Sequence, residues 1–159
     1  MKHASMIAQI NIGLQEEDKT MENRKHCVEI AETLEKIASG QMYRCPECGE
    51  FIHESRFFND EDEYICPCCK AEEISLDDCE QVSFFDYFTD SVLDVEYRLN
   101  AERRFKNVRL MVACGGPNIF VDTGSCEVQL YWWTDRASCP IDPEVCEAIN
   151  ECFESIYSY

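Results

Sequence analysis

Cys45-Pro46-Glu47-Cys48-Gly49 and Cys66-Pro67-Cys68-Cys69 hold the residues best placed to do chemistry. The two Cys-x-x-Cys pairs are separated by 17 residues, a spacing that suits a tetrahedral site of four thiolates. Pro follows the first cysteine of each pair, and Gly49 follows the first pair. Both residue types shape tight turns, and a metal knuckle needs a turn whose backbone amides point at sulfur. The expected occupant is one Zn2+, held by Cys45, Cys48, Cys66 and Cys69. The motif offers no spare acid or base, so the ion is expected to be structural, with all four positions closed by protein. Cys68 can exchange with Cys66 or Cys69, and His53 is a further substitute ligand. The competing reading, reduced core cysteines, suits this stretch less well because it is polar and has little apolar surface to bury.

Other reactive residues are poorly arranged for catalysis. His3, His26 and His53 all lie in the first third of the chain, which leaves the later segments without a histidine. No nucleophile elbow or metalloprotease motif occurs. His53-Glu54 lies between the cysteine pairs, which is the wrong order for a zinc deaminase. Gly115-Gly116-Pro117-Asn118 lacks the glycine spacing and the Lys of a phosphate loop and reads as a turn. His26 beside Cys27 reads as an exposed His and a buried Cys on one helix. The chain is expected not to be an enzyme; a metal-dependent enzyme is the reading from that other class.

Charge is the second large fact. Thirty-two acidic residues face 14 basic ones, a formal −18 over 159 residues. Residues 41–80 alone carry −9, against −2 for 1–40, −1 for 81–106 and −6 for 107–159. Four bound thiolates and one Zn2+ add a further −2. Such a field repels DNA and RNA and attracts basic protein surfaces. No direct nucleic-acid binding is therefore expected. No apolar run is long enough to cross a membrane, and the first residues lack a secretory pattern. Twelve cysteines without such a signal indicate a reducing, cytoplasmic setting.

Periodicity supplies the elements that must position these residues. Glu16-Glu17-Asp18 opens a helical pattern, with Cys27, Ile30, Ala31, Leu34, Ile37 and Ala38 on one face and Gly40 as its stop. Phe51, Phe57, Phe58 and Tyr64 cover a small hairpin between the cysteine pairs, with Asn59–Glu63 at its tip. Ser83 caps a short helix over 83–92. From Leu93 the period becomes two, giving strands through Leu93–Leu99, Val108–Cys114, Ile119–Asp122 and Glu127–Thr134. Trp132 and Trp133, being adjacent, should point to opposite faces. Asp142-Pro143 starts a last helix with Val145, Ile149, Cys152, Phe153 and Ile156 inward. The expected class is α+β: an N-terminal helix, a four-cysteine zinc ribbon, then a helix, a four-stranded antiparallel sheet and a C-terminal helix. The expected divisions are 1–40, 41–80 and 81–159.

Three groups of carboxylates are candidates for meeting a basic partner. These are the hairpin tip Asp60, Glu61, Asp62 and Glu63; the helical pair Asp86 and Asp90; and the row Glu147, Glu151 and Glu154. Each alone also fits a solvated surface. A small acidic chain with a Cys45/Cys48/Cys66/Cys69 module joined to an α/β piece resembles the anti-CRISPR proteins of phages and mobile elements, type II-A inhibitors in particular. The resemblance lies in overall type, not in a shared motif. It implies Cas9 as partner, with blockade of DNA loading and cleavage through contact with a basic Cas9 channel. The alternative is a zinc-ribbon adaptor or regulator that binds another cytosolic protein.

Overall fold

A computed structural model describes residues 22–57, 65–71, 74 and 76–158. The described residues form two compact units, one within 33–91 and one of residues 22–32 together with 92–158. The first contains both cysteine pairs, and the second contains the larger sheet. Helix α1 (22–38) holds the boundary between them.

In the 33–91 unit, α1 stops as its sequence requires. Gly40 has φ +71°, and the N–H groups of Gly40 and Gln41 donate to the carbonyls of Ile37 and Lys36. These two bonds form a Schellman motif, in which a left-handed residue satisfies the last helical carbonyls. Cys27, Ala31, Leu34 and Ile37 are buried as expected, while Ala38 is exposed. Strands β1 (Met42–Arg44), β2 (Phe51–His53) and β3 (Glu80–Gln81) form an antiparallel sheet in the order β2-β1-β3. A hairpin also surrounds the first cysteine pair, with Arg44 opposite Phe51. At the base of the expected hairpin between the pairs the Ile65 N–H donates to Phe57 O at 2.7 Å, and the rest of it lies outside the described residues. Turns of 3-10 helix follow at Glu54–Arg56 and Leu76–Asp78. Phe58, Tyr64 and the acidic stretch Asp60–Glu63 lie outside the described residues.

This unit has more core than its polar composition suggests. Cys45, Ile52, Phe57, Cys66 and Ile74 form one buried cluster, and Ile37, Met42 and Val82 form another. Helix α2 (Phe84–Ser91) packs Phe84 and Tyr87 on the second cluster. Its N-terminus is a capping box. The Asp86 N–H donates to Ser83 Oγ at 3.2 Å, and the Asp86 carboxylate accepts from the Ser83 N–H at 3.0 Å and from its hydroxyl.

The second unit is a five-stranded antiparallel meander, β4 (Asp94–Leu99), β5 (Phe105–Ala113), β6 (Asn118–Asp122), β7 (Glu127–Trp132) and β8 (Asp135–Pro140). The expected count of four is corrected to five. Sequence reading runs β7 to Thr134, but Trp132 pairs with Asp135, so Trp133-Thr134 is a two-residue hairpin loop. Trp133 takes φ 52°, a left-handed conformation usually signalled by Gly or Asn, and β8 has no bulky apolar alternation to mark it. Trp133 is consequently 92% exposed rather than lying on a strand face.

One sheet face carries Val108, Leu110, Ile119, Val121, Val128 and Leu130, all buried. Helix α3 (Pro143–Tyr157) packs there through Val145, Ile149 and Phe153. Asp142 caps it by accepting the Glu144 N–H at 2.8 Å, with Pro143 at the first turn. Ile156, expected to be inward, is 40% exposed because it lies near the helix's end. A buried hydroxyl ties α3 to the sheet: Thr123 Oγ1 donates toward Val108 O at 2.8 Å and lies 2.6 Å from Asn150 Oδ1.

Hydrogen bonds from Ser83 hold the Asp86 carboxyl below its ordinary range. Its folded-state value is depressed, so the contribution is present at neutral pH and is lost as pH falls through that value. Ser83→Ala should cost about 1 kcal/mol at neutral pH, with the gap to wild type closing in acid. Urea unfolding at several pH values, followed by circular dichroism, measures this.

Candidate metal centre

The two cysteine pairs are built by the same backbone device used twice. The Gly49 N–H donates to Cys45 O at 2.9 Å, and the Cys45 N–H donates to Glu50 O at 3.0 Å. In the second knuckle the Lys70 N–H donates to Cys66 O at 3.0 Å, and the Cys66 N–H donates to Ala71 O at 3.1 Å. The residue after each second cysteine is left-handed, Gly49 at φ +75° and Lys70 at φ 60°. Gly adopts this conformation freely, whereas Lys is strained there by its Cβ.

All four sulfurs lie within 4.8 Å of one another. Cys45 Sγ is 3.9 Å from Cys69 Sγ, and Cys48 Sγ is 3.8 Å from Cys66 Sγ. A tetrahedral ion with metal–sulfur bonds of about 2.3 Å requires sulfurs about 3.8 Å apart, so the quartet fits a four-coordinate metal. Cys45 and Cys66 are buried in the apolar cluster, and the second cysteine of each pair lies outside it. The apolar surroundings fix the two inner cysteines, while Cys48 and Cys69 are exposed.

The electrostatics of the sulfurs are uneven. Cys66 is drawn down to about 6: burial pushes its thiol up, but the backbone N–H groups of Cys69 and Cys68 and the thiols of Cys69 and Cys45 outweigh burial. Cys48 is pushed up to about 12: the Glu50 N–H favours its thiolate, but desolvation and hydrogen bonds with the other three sulfurs prevail. Four sulfurs this close cannot all carry charge without a cation among them. Metal binding supplies that charge and displaces the shared protons.

The structure brings together Cys45, Cys48, Cys66 and Cys69, the four expected ligands. Among the described residues no His or carboxylate joins them. His53 is occupied elsewhere: its Nδ1 accepts the Ser55 N–H at 3.2 Å and lies 2.7 Å from Ser55 Oγ. Cys68 is exposed and outside the quartet. With four protein sulfurs around the centre, no position is left for a reacting water, and the arrangement suits a structural ion.

The candidate carboxylates fare differently from one another. Asp86 serves the capping box. Asp90 accepts from Arg44 Nη2 at 2.9 Å, and the Arg44 guanidinium also lies 5.0 Å from the Phe51 ring centre. Asp94, one more i+4 step along, starts β4 instead of continuing the helix, and accepts the Val95 N–H. Glu147, Glu151 and Glu154, with Glu144, stand on α3 away from its buried face.

Two features escape sequence reading. Asp122 is a buried hub that accepts bidentate bonds from Arg98 at 3.0 and 2.9 Å and the N–H groups of Gly124 and Ser125. Its only sequence mark is a short acid before Thr-Gly-Ser. The Arg44–Asp90 pair spans 46 residues and has no local signal. Lys70 is different: its place, one residue after the second cysteine, is that of Gly49 and is legible from the repeat.

No family model matches the chain, and no curated protein or solved structure is significantly similar to it. Among the described residues no helix is long and apolar enough to cross a membrane.

Cys45→Ser or Cys66→Ser should abolish stoichiometric metal binding and unfold the 33–91 unit, as should a strong chelator acting on the native chain. Metal analysis and amide-exchange NMR report both losses. Lys70→Gly should stabilise the metal-loaded chain by roughly 0.5–1 kcal/mol, since it relieves a left-handed side chain. A higher midpoint in thermal unfolding is the expected sign.

Proposed function

We propose that this chain is a non-enzymatic inhibitor: an acidic protein, stapled by one structural Zn2+, that occupies a basic surface meant for nucleic acid. Soft thiolate donors in tetrahedral array favour Zn2+. The observation that carries the reading is the outer face of α3. Glu144, Glu147, Glu151 and Glu154 are all exposed, and none has an ion-pair partner among the described residues. At 1.5 Å per residue the row extends about 15 Å along one helix. Its charges sit within a Debye length of their neighbours, so an approaching cationic surface meets them together.

Residues 41–80 carry a further −9 of their own. Basic side chains that would neutralise it are partly engaged within the molecule, Arg44 with Asp90 and Arg98 with Asp122. Such a surface mimics the charge of a nucleic-acid backbone without its chemistry. Cas9, whose basic channels hold guide RNA and target DNA, is the partner implied by the resemblance to anti-CRISPR proteins. Binding there would exclude target DNA and stop cleavage.

A second reading rests on Trp133. A 92% exposed indole on a hairpin tip, with Tyr131 on the preceding strand, suits an adaptor that docks on another protein through an aromatic anchor. Salt separates the two readings. Charge-led binding weakens steeply as ionic strength rises, whereas an aromatic anchor is nearly indifferent to it.

The test is a pull-down against Cas9 with and without guide RNA, paired with a DNA-cleavage assay. The expected result is capture at low salt, loss at moderate salt, and inhibited cleavage. The triple change Glu147→Lys, Glu151→Lys, Glu154→Lys should weaken inhibition at least tenfold. Undiminished cleavage across several Cas9 types, with no capture, would refute the Cas9 assignment.

A further inference from the structure

The far end of the sheet unit, where β4 turns into β5 beside the last turn of α3, carries an apolar surface with opposite charges on its two flanks. Its floor is aromatic. The Tyr157 ring lies 5.2 Å from Tyr97 and 6.4 Å from Phe105, centre to centre. Leu99 pairs with Phe105 across the strands and so shares its face. Leu99, Ile156 and Tyr157 are 39%, 40% and 41% exposed, half of the large apolar side chains that the described residues leave open. Three of six at one end of one unit is a patch rather than scatter.

The flank formed by the β4–β5 turn is basic. Arg103 and Arg104 are exposed there, with Lys106 exposed at the start of β5; the single acid, Glu102, accepts from Arg104 Nη2 at 3.2 Å. The turn is well defined: Asn100 Oδ1 accepts the N–H groups of Glu102 and Arg104, and Arg103 sits at φ 61°. The other flank is acidic. Glu154 precedes Tyr157 by three residues on α3 and is its neighbour on the helix surface, with Glu151 one turn earlier. Neither acid has an ion-pair partner among the described residues.

We infer that this patch pairs with the same patch of a second copy of the chain, in a two-fold dimer. The argument is charge complementarity. In a two-fold contact each surface meets itself rotated, so a basic flank on one side of an apolar centre falls on the partner copy's acidic flank. Arg103, Arg104 and Lys106 of one copy would face Glu151 and Glu154 of the other, with Leu99, Ile156 and Tyr157 closing on their counterparts between them. A uniformly basic partner is repelled by the turn, and a uniformly acidic one by α3. The contact covers Glu151 and Glu154 and leaves Glu144 and Glu147 open, so dimer formation and a basic partner would compete for the C-terminal half of the carboxylate row.

Sedimentation velocity of the full, metal-loaded chain over a wide concentration range, with no other protein present, tests this. The expected result is a reversible monomer–dimer equilibrium. Leu99→Asp and Tyr157→Asp should each raise the dissociation constant tenfold or more, as truncation of an interface anchor does. Arg104→Glu with Lys106→Glu should weaken the dimer, and adding Glu151→Lys with Glu154→Lys should restore it. The charge changes lie on exposed side chains and keep the test valid if an apolar variant fails to fold. A chain that stays monomeric throughout would overturn the inference, as would a dimer indifferent to Leu99→Asp or a charge swap without rescue. Because no inhibited partner enters the measurement, failure here leaves the proposed inhibitory activity untouched.

Discussion

Four sulfurs held within 4.8 Å of one another impose the constraint on which the 33–91 unit depends. Thiolates at that separation repel, and thiols there hold each other only by weak hydrogen bonds. A divalent cation bound there would turn the repulsion into the strongest set of contacts in the unit. The apolar cluster around Cys45 and Cys66 contributes too, since Ile52 and Phe57 are fully buried beside them. That cluster is small, and a unit of this size would gain much of its folding free energy from a bound metal. The two contributions share residues: the inner cysteine of each pair is both a ligand and a core side chain.

The acidic residues divide by what surrounds them. Asp122, Asp86 and Asp90 are structural, each answering a donor on a neighbouring segment. Asp122 is the extreme case, buried and saturated by the two-pronged guanidinium of Arg98 and two backbone amides. Removing its carboxylate would leave Arg98 without that partner, which costs more than the pair itself contributes. The glutamates of α3 answer nothing within the described residues. A net charge counted over the chain cannot distinguish these two populations, and engagement is not burial: Asp90 pairs with Arg44 yet is 61% exposed.

How far the sequence reveals this structure depends on how local each signal is. The knuckles are legible because ligand, Pro and turn residue lie within five positions. The stop at Gly40, the cap at Ser83 and the Asp142-Pro143 start are legible for the same reason. Strands β4 to β7 follow from alternation and Gly-rich turns. Strand β8 does not, because its hairpin turns on a left-handed Trp133 and its apolar side chains are Ala137 and Cys139, too small to show a pattern. The β2-β1-β3 sheet escapes because its strands are two or three residues long, below any period. The contacts that join distant segments, Arg44 with Asp90 and Arg98 with Asp122, leave no trace in local spacing.

The closure at Gly40 has a kinetic side. Gln81 Nε2 donates to the Gly40 carbonyl at 2.7 Å, and a Cβ on Gly40 would stand 2.5 Å from that nitrogen. Strand β3 therefore completes its sheet by reaching back 41 residues to the end of a helix. A chain searching for that contact unaided must close a long loop. Once the sulfurs of Cys45 and Cys69 are joined through a metal, the 24 positions that separate them are bypassed and the effective loop shrinks by more than half. The saving in closure entropy is on the order of half a kcal/mol. It acts before the sheet forms, so the ion would hasten assembly of the unit as well as stabilise the finished fold.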